Sequence, residues 1–303
     1  MLKFLFFTLI IIVNLQTKVE KTVDMKVVNI QNQFCEDTEV LKKAEVPIKE
    51  FYINSPEELS ETLFANNLFD IKDNKVPKLR IKNFPKNLNS LDVKLKKRLF
   101  FHSLIPMAMI AEDKIKKERK ELLDIIKRYP SLKNLETEEF EFLSDKDKDI
   151  ITRLSQKYQS SDINILKRRI DIVPISLVLS QSAIESSWGN SRFALQGNNL
   201  FGVWAKRDGS EKGIKPKYRK KGLKHMVKAY PSLQASIEDY CYKINTVRAY
   251  RYLRILRTKT KNSAILAKGL IHYSAKKEKY VKDVQKIIRR SRLQKYDNLV
   301  FID

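Results

Sequence analysis

Glycine and proline are scarce in this chain, with 7 and 9 among 303 residues. Barrels and sandwiches built on many tight turns need more of both, so the composition argues against them. The two cysteines, Cys35 and Cys241, lie far apart, and only three histidines are present. Without a CxxC pair or a histidine cluster, no metal site is expected and no cofactor is implied. The sequence leaves open whether the two cysteines pair.

Acidic residues are also in deficit, because 36 Asp and Glu stand against 60 Lys and Arg, a formal net charge of +24. Such an excess favours a polyanionic partner: nucleic acid, an anionic membrane surface or an acidic envelope polymer. The alternative is compositional, because Lys, Ile and Asn are abundant throughout. A nucleic-acid-binding protein is disfavoured, since no base-stacking motifs are interleaved with the charge.

The first residues, MLKFLFFTLIIIVNLQTK, are typical of an export leader. Lys3 supplies a short basic start, and residues 4–13 form an apolar run of signal-peptide length, short for a membrane span. No A-x-A-like cleavage site follows. We predict a signal peptide or signal anchor over 1–20 and export to the periplasm or cell envelope, with the protein either released or held in the inner membrane by residues 4–13.

Helical periodicity dominates the chain after an aperiodic segment at 21–75, which is predicted to be a poorly ordered linker. Two helices are expected around residues 99–107 and 115–126, the second ending near Pro130. A helix capped by Ser144 and a short one around 162–170 follow. We predict an N-terminal helical region over 76–170 that packs on a second domain over 171–298.

Residues 174–189, PISLVLSQSAIESSWG, predict a buried helix that starts at Pro174 and is ended by Gly189. Gln181 and Glu185 share one face, and Trp188 lies on the adjacent face. A single carboxylate thus emerges beside an aromatic ring at the end of a core helix. The alternative is a surface acid that caps the helix or pairs with a lysine.

Four of the 7 glycines fall within residues 200–228, which predicts a small β-hairpin lobe there. The same segment is strongly basic. Its cationic residues are Lys206, Arg207, Lys212, Lys215, Lys217, Arg219, Lys220, Lys221 and Lys224. We expect this basic hairpin lobe to attract anionic envelope polymers or a membrane surface.

The stretch QSAIESSWGNSRFALQGNNLFGVW resembles the glucosaminidase domain of peptidoglycan hydrolases in glycoside hydrolase family 73, and more closely its Bax-type branch. The resemblance covers about residues 76–297, because similar segments, among them FFHSLIPMAMIAEDKI before this stretch and LAKGLIHYSAKKEKYVKDVQKII after it, occur in the same order as in that branch. The resemblance implies a mainly α fold: a lysozyme-like helical domain with a small β-hairpin lobe, preceded by additional N-terminal helices. It also implies hydrolysis of the β-1,4 bond between N-acetylglucosamine and N-acetylmuramic acid in peptidoglycan glycan strands, with Glu185 as the catalytic acid.

A glycosidic oxygen leaves only when it is protonated, so the acid must keep its proton near neutral pH. Contact with an aromatic ring, here Trp188, would raise the pKa of Glu185 in the way seen in lysozyme, a worked example of this effect. The second carboxylate is harder to find, and Glu211 in KRDGSEKG is the candidate. The alternative is substrate assistance, in which the sugar's acetamido group attacks the anomeric carbon. Tyr273 matches a family tyrosine that faces the cleft, with a buried core role as the alternative.

Amide and aromatic side chains near this acid are the candidate substrate-binding residues, because amides bond sugar hydroxyls and rings stack on pyranose faces. They are Gln181, Trp188, Asn199, Trp204 and Tyr230. Turn closure by Asn199, and core packing by Trp204 and Tyr230, are the alternatives.

The function predicted is an exported, monomeric endo-β-N-acetylglucosaminidase acting on peptidoglycan. A non-catalytic cell-wall glycan-binding protein with a degenerate lysozyme-like site is the alternative, and a lytic transglycosylase would use the same single acid.

Overall fold

The computed structural model describes residues 48–217 and 222–302. The predicted leader, Cys35 and three basic residues of the hairpin lobe (Arg219, Lys220, Lys221) lie outside the described residues. Within the described ranges, no helix combines the length and the apolarity that a membrane crossing requires. Cys241 is buried, and whether it pairs with Cys35 stays open because Cys35 lies outside the described residues.

The described residues form a mainly helical structure with short strands, as predicted for the fold class. The α-helices are α1 (Pro56–Ala65), α2 (Val93–Arg128), α3 (Asp145–Tyr158), α4 (Ile163–Arg169), α5 (Ile175–Glu185), α6 (Arg192–Gly197), α7 (Leu233–Thr246), α8 (Arg251–Arg257), α9 (Ser263–Leu266) and α10 (Glu278–Arg290). The strands are β1 (Lys49–Phe51), β2 (Lys75–Val76), β3 (Leu79–Ile81), β4 (Gly213–Ile214), β5 (Val227–Lys228) and β6 (Val300–Phe301).

The strands pair in three two-stranded sheets. β1 pairs with β3 and β2 with β6 in parallel, whereas β4 and β5 are antiparallel, with Gly213 opposite Lys228. Trp204 adds a bridge to Val227. The small β-hairpin lobe predicted from the glycines of residues 200–228 is therefore confirmed.

The two helices predicted around 99–107 and 115–126 are one continuous helix, α2, and the prediction of two is wrong. Asp92 caps its start by accepting hydrogen bonds from the amides of Lys94 and Leu95, and Pro106 lies inside it. A proline costs a helix one backbone hydrogen bond. The surrounding stretch of α2 is buried, and that packing keeps the helix intact through the proline.

Residues 48–75 correct the linker prediction. β1 lies here, and α1 buries Leu59 and Leu63 completely in the same core as α2. The apolar residues of this segment are too few to show a period, yet enough to pack. Residues 21–47 lie outside the described part of the chain, and the proposed division near residue 170 stays a prediction.

Two shorter helices, α3 and α4, lie where the sequence predicts them. α3 is capped by Ser144, whose hydroxyl accepts a hydrogen bond from the amide of Asp147 at 3.2 Å. α4 spans most of the range 162–170, and Asp162 caps it by accepting from the amide of Ile165. Both starts depend on a side-chain cap that the sequence shows locally.

α5 is the central buried helix and is fixed at both ends. Pro174 stands just before its first residue, and Asp297 accepts hydrogen bonds from the amide and hydroxyl of Ser176 at 2.8 and 2.7 Å. After Glu185 the chain turns sharply, because Ser187, Trp188 and Gly189 have φ values of +52°, +59° and +79°. A Cβ at Gly189 would lie 3.0 Å from the ring of Phe84. The carboxylate at the end of α5 is therefore held in one place.

Gly269 generates a stability prediction, because it lies against α8. A Cβ at Gly269 would lie 2.4 Å from the Cα of Leu253. Since a backbone atom cannot move aside alone, we expect Gly269→Ala to lower the free energy of unfolding by about 1–3 kcal/mol. Urea unfolding measures this loss. Lys268→Ala, at the exposed neighbouring position, is the control and should stay within about 0.5 kcal/mol of wild type; equal stability of the two variants would contradict the close packing.

Candidate active site

A cleft of about 530 Å³ opens beside the C-terminal end of α5. Its walls come from Glu185, from residues 201–204 at the start of the hairpin lobe, from one face of α7, and from residues 273–275. Glu185 is the only carboxylate that lines the cleft among the described residues. The chemistry of the cleft therefore centres on this one acid.

The Glu185 carboxyl is half-buried, and burial raises its pKa above the ordinary 4.5. A hydrogen bond with the Tyr280 hydroxyl and the charge of Lys276 oppose this rise without cancelling it. Gly202, with a φ of +66°, stands across from it, and a Cβ there would lie 3.5 Å from Oε2 of Glu185. The carboxyl thus faces a cleft wall of bare backbone and keeps its proton more readily than an exposed glutamate does.

Tyrosine rings shelter Glu185. The ring of Tyr273 stacks on that of Tyr280, with centroids 5.2 Å apart and 6° between the planes. Tyr250 lies 5.8 Å from Tyr273 in a tilted arrangement. The Tyr273 hydroxyl donates to the carbonyl of Phe201 at 3.0 Å. Tyr273, predicted to face the cleft, lines it, and its fixed hydroxyl sets the position of its ring.

Trp188 does not shelter the acid, and this corrects the sequence interpretation. Its ring packs edge-on against Phe100 and Phe101 at 5.8 and 5.1 Å, and the ammonium of Lys97 lies 4.9 Å from the ring centre. The ring belongs to the packing between α2 and the turn after α5. With left-handed φ at Trp188 itself, the helical-wheel argument no longer applies at that position.

Gln181 lies behind the cleft and is completely buried. Its Oε1 accepts a hydrogen bond from the Tyr240 hydroxyl, and its Nε2 donates to the Tyr280 hydroxyl at 3.0 Å. The Tyr280 hydroxyl accepts this bond and lies near Glu185, whose pKa it lowers. The structure places Gln181 as a positioning residue for Tyr280, out of reach of a bound glycan.

Asn199 and Tyr230 also lie away from the cleft walls. The Asn199 amide donates to the carbonyls of Val203 and Lys228 at 2.9 and 2.8 Å, and its oxygen accepts from two backbone amides. All of its bonding groups are used to tie the hairpin lobe together. Tyr230 is buried and donates its hydroxyl to Asp239. Both residues take the structural roles that were the alternatives to substrate binding.

Trp204 is the candidate that reaches the cleft with a free face. Its side chain is 55% exposed and lines the wall contributed by the hairpin lobe. The ring of His225 supports it edge-on at 4.8 Å. An exposed, supported indole at a cleft is suited to stack on a sugar ring.

Glu211 is held elsewhere in the hairpin lobe. Lys228 pairs with its carboxylate at 2.7 Å, and the amide of Lys206 donates to it at 2.9 Å. Burial works to raise the pKa of Glu211, but these partners outweigh burial and lower it. The structure does not bring Glu211 to the walls that hold Glu185, so the two carboxylates do not form a catalytic pair across the cleft.

Sequence reasoning missed Tyr250, Tyr280 and Lys243. Lys243 lies on the face of α7 that lines the cleft together with Tyr240, Ile244 and Val247. The helical spacing of these residues is a signal for one shared face. Tyr280 had no such local signal, since its partners lie far away in the chain. No cluster of histidine, cysteine, aspartate and glutamate suited to a metal ion occurs in residues 48–217 and 222–302.

Comparison with known proteins identifies relatives of part of the chain. A family model described as Glucosaminidase, mannosyl-glycoprotein endo-beta-N-acetylglucosaminidase, matches residues 160–293. Protein bax of Escherichia coli (strain K12) is 31% identical over 146 residues, 44% of this chain and 50% of bax. Exo-glucosaminidase LytG of Bacillus subtilis (strain 168) is 26% identical over 147 residues, 46% of this chain and 51% of LytG. The chain spans about half the length of the curated relatives it matches.

Solved structures align with a similar share of the chain. The catalytic domain of the autolysin Auto from Listeria monocytogenes is 24% identical with a TM-score of 0.34, covering 51% of this chain and 89% of that one. The glycoside hydrolase domain of FlgJ from Salmonella typhimurium is 21% identical with a TM-score of 0.33, covering 49% of this chain and 89% of that one.

The raised pKa of Glu185 predicts how stability changes with pH. Its folded-state pKa lies above the ordinary 4.5, so the stabilisation from its protonated form is complete below that pH and is lost as the pH rises through the folded pKa. Glu185→Gln does not titrate and escapes this loss. We therefore expect the stability of E185Q relative to wild type to grow as the pH rises, in urea unfolding from about pH 4 to about pH 8. Glu61→Gln, on the exposed face of α1, is the matched control. A stability difference that shrinks with rising pH would contradict the assignment.

Proposed function

We propose that the chain is a peptidoglycan hydrolase, because a Glucosaminidase family model matches residues 160–293 and protein bax is 31% identical over 146 residues. The bond cleaved is the β-1,4 linkage after N-acetylglucosamine within glycan strands, which makes the activity that of an endo-β-N-acetylglucosaminidase. One observation carries the proposal: a half-buried carboxyl with a raised pKa, Glu185, lines an open cleft. Peptidoglycan lies in the cell envelope, so we propose that the protein acts there after export.

Glu185 is the general acid in this proposal. Protonated, it donates its hydrogen to the glycosidic oxygen as the bond to the anomeric carbon breaks, so that the leaving sugar departs as a neutral alcohol. Burial raises the pKa of Glu185 and so favours the protonated form beforehand. Afterwards the Tyr280 hydrogen bond and the Lys276 charge stabilise the carboxylate that remains. The same surroundings thus support both protonation states of the acid.

The sugar's own acetamido group is the proposed second reactant, because Glu185 is the only carboxylate found lining the cleft among the described residues. Its carbonyl oxygen attacks the anomeric carbon, and water later opens the cyclic intermediate. The hydroxyl of Tyr273 donates to Phe201 but keeps a lone pair to accept a hydrogen bond from the acetamido N–H. We propose this contact as the one that orients the attacking carbonyl.

Other cleft residues suit a charged polysaccharide. Trp204 offers an exposed ring for a pyranose, and Lys243 offers a cation to carboxylates carried by the polymer. The described basic residues of the hairpin lobe add to the attraction. They are Lys206, Arg207, Lys212, Lys215, Lys217 and Lys224.

Glycan binding without cleavage is the second candidate function, and the single cleft carboxylate favours it. Mass spectrometry of sacculi digested by the protein separates the candidates. New reducing ends at N-acetylglucosamine support hydrolysis, and anhydro ends assign a lytic transglycosylase. Binding of sacculi with neither product would assign the protein as a glycan-binding module.

The catalytic proposal predicts that Glu185→Gln abolishes the clearing of purified sacculi. Loss of a general acid lowers the rate by about 10²- to 10⁴-fold. Turbidity loss, at equal amounts of folded protein by circular dichroism, measures the rate. Glu211→Gln is the control and should retain most of the activity, since Glu211 is paired with Lys228 away from the cleft. Equal clearing by E185Q and wild type would refute the proposal.

Tyr280→Phe tests how the acid is tuned. The variant lacks the hydroxyl that stabilises the Glu185 carboxylate, so the pKa of Glu185 rises further. Because a general acid works only while protonated, we expect the alkaline limb of the pH–activity profile to move to higher pH. Tyr252→Phe, at an exposed position of α8, is the control. An alkaline limb that stays in place or moves to lower pH would contradict a tuning role for Tyr280, whatever the maximal rate.

A further inference from the structure

A second cavity, of about 390 Å³, is lined almost entirely by arginine. Arg168 and Arg169 come from the end of α4, Arg248 from the turn before α8, and Arg251 and Arg254 from α8 itself. The remaining lining residues are isoleucines, and no carboxylate is among them. We call this cavity the arginine pocket. Five guanidinium groups around one small space repel each other unless an anion lies between them.

Arg254 forms the buried floor of this pocket, with only 5% of its surface exposed. Its Nη1 donates to the carbonyls of Ile244 and Val247 at 2.8 and 2.9 Å. Within residues 48–217 and 222–302, no carboxylate lies within 4.0 Å of it. Burial and the neighbouring arginines lower the pKa of Arg254 to about 10. A buried guanidinium held only by neutral carbonyls lacks the counter-charge that burial normally demands.

The next buried arginine on the same helix, Arg257, has a carboxylate nearby that balances its charge. Arg257 is 1% exposed, and its Nε lies 3.5 Å from the carboxylate of Asp171. Lys261 and Arg119 approach the same carboxylate. One turn of α8 thus separates a compensated arginine from an uncompensated one. The difference marks the arginine pocket as a place where the fold leaves the counter-charge to be supplied from outside.

The walls of the pocket combine fixed and free donors. Arg169 is anchored through bonds from its Nη1 to the carbonyls of Tyr158 and Gln159, while its buried Nε has no hydrogen-bond partner. Arg168, Arg248 and Arg251 are exposed at the rim. The anchored guanidinium groups of Arg169 and Arg254 lie at the floor of the pocket, and the other three lie at its rim. Together they can donate hydrogen bonds to a tetrahedral oxyanion from several sides.

We propose that the arginine pocket binds a phosphate group, either on a soluble phosphate compound or on a lipid headgroup. Five cations match a multiply charged phosphate better than a single carboxylate, and guanidinium pairs fit phosphate oxygens in a bidentate manner. The pocket is separate from the cleft: Val247 and Tyr250 line the cleft, whereas Arg248 and Arg251, interleaved with them, line the pocket. The proposal therefore does not rest on hydrolysis of peptidoglycan.

Calorimetric titration of the full chain with pyrophosphate at constant ionic strength tests the proposal. The rim variant Arg168→Gln/Arg251→Gln keeps the buried anchors and should weaken binding by at least about tenfold, since each removes a charge-assisted hydrogen bond. The control Arg289→Gln/Arg290→Gln removes the same charge from exposed positions of α10. Binding by the control should stay within about twofold of wild type, because distant surface charges are screened.

Vesicle sedimentation identifies the source of the phosphate. Vesicles of phosphatidylcholine are compared with vesicles that also contain phosphatidylglycerol. Sedimentation that requires the anionic lipid and is lost in the rim variant assigns a lipid headgroup, whereas pyrophosphate binding without sedimentation assigns a soluble phosphate. No pyrophosphate binding by wild type, or equal weakening in the rim and control variants, would overturn the proposal.

Discussion

The burial of one ionisable carboxyl, Glu185, at the end of a helix that is itself buried is the constraint on which the rest of the site depends. Burial there raises the pKa of the carboxyl, because water solvates its charged form less well. Its position requires α5 to stop at that residue, which the left-handed turn ending in Gly189 ensures. The surroundings of the carboxyl also depend on Gln181, whose hydrogen bonds fix the hydroxyls of Tyr240 and Tyr280. The position of Glu185 in the cleft therefore depends on both the buried helix and the turn that follows it.

Two other charged side chains of the fold are treated in a contrasting way. Glu211 is paired with Lys228, and Arg257 with Asp171, so that each charge is compensated inside the fold. Glu185 and Arg254 have no partner of opposite charge in bonding contact among the described residues, and both line cavities. A buried group without a counter-charge costs stability. Such groups at two open cavities are better explained by external ligands than by the needs of folding.

The sequence predicted features that are encoded locally and missed those made by distant segments. The cap at Ser144 and the glycines of the hairpin lobe act within a few residues, and both predictions hold. The continuity of α2 through Pro106 depends on neighbours that bury it, which no local pattern shows. In the site, the motif predicts Glu185 as the acid, but proximity in sequence wrongly indicates Trp188 as the ring that covers it. The true neighbour, Tyr280, comes from α10 and is brought there only by the tertiary fold.

The raised pKa of Glu185 in the folded protein is the central claim, and carbon-13 NMR of the glutamate carboxyls tests it directly. A titration of wild type, with E185Q to assign the resonance that disappears, gives the pKa of this one group. The account predicts a midpoint above the ordinary 4.5. A midpoint at or below that value would mean that the carboxyl is solvated or paired as an anion, and would contradict its role as an acid.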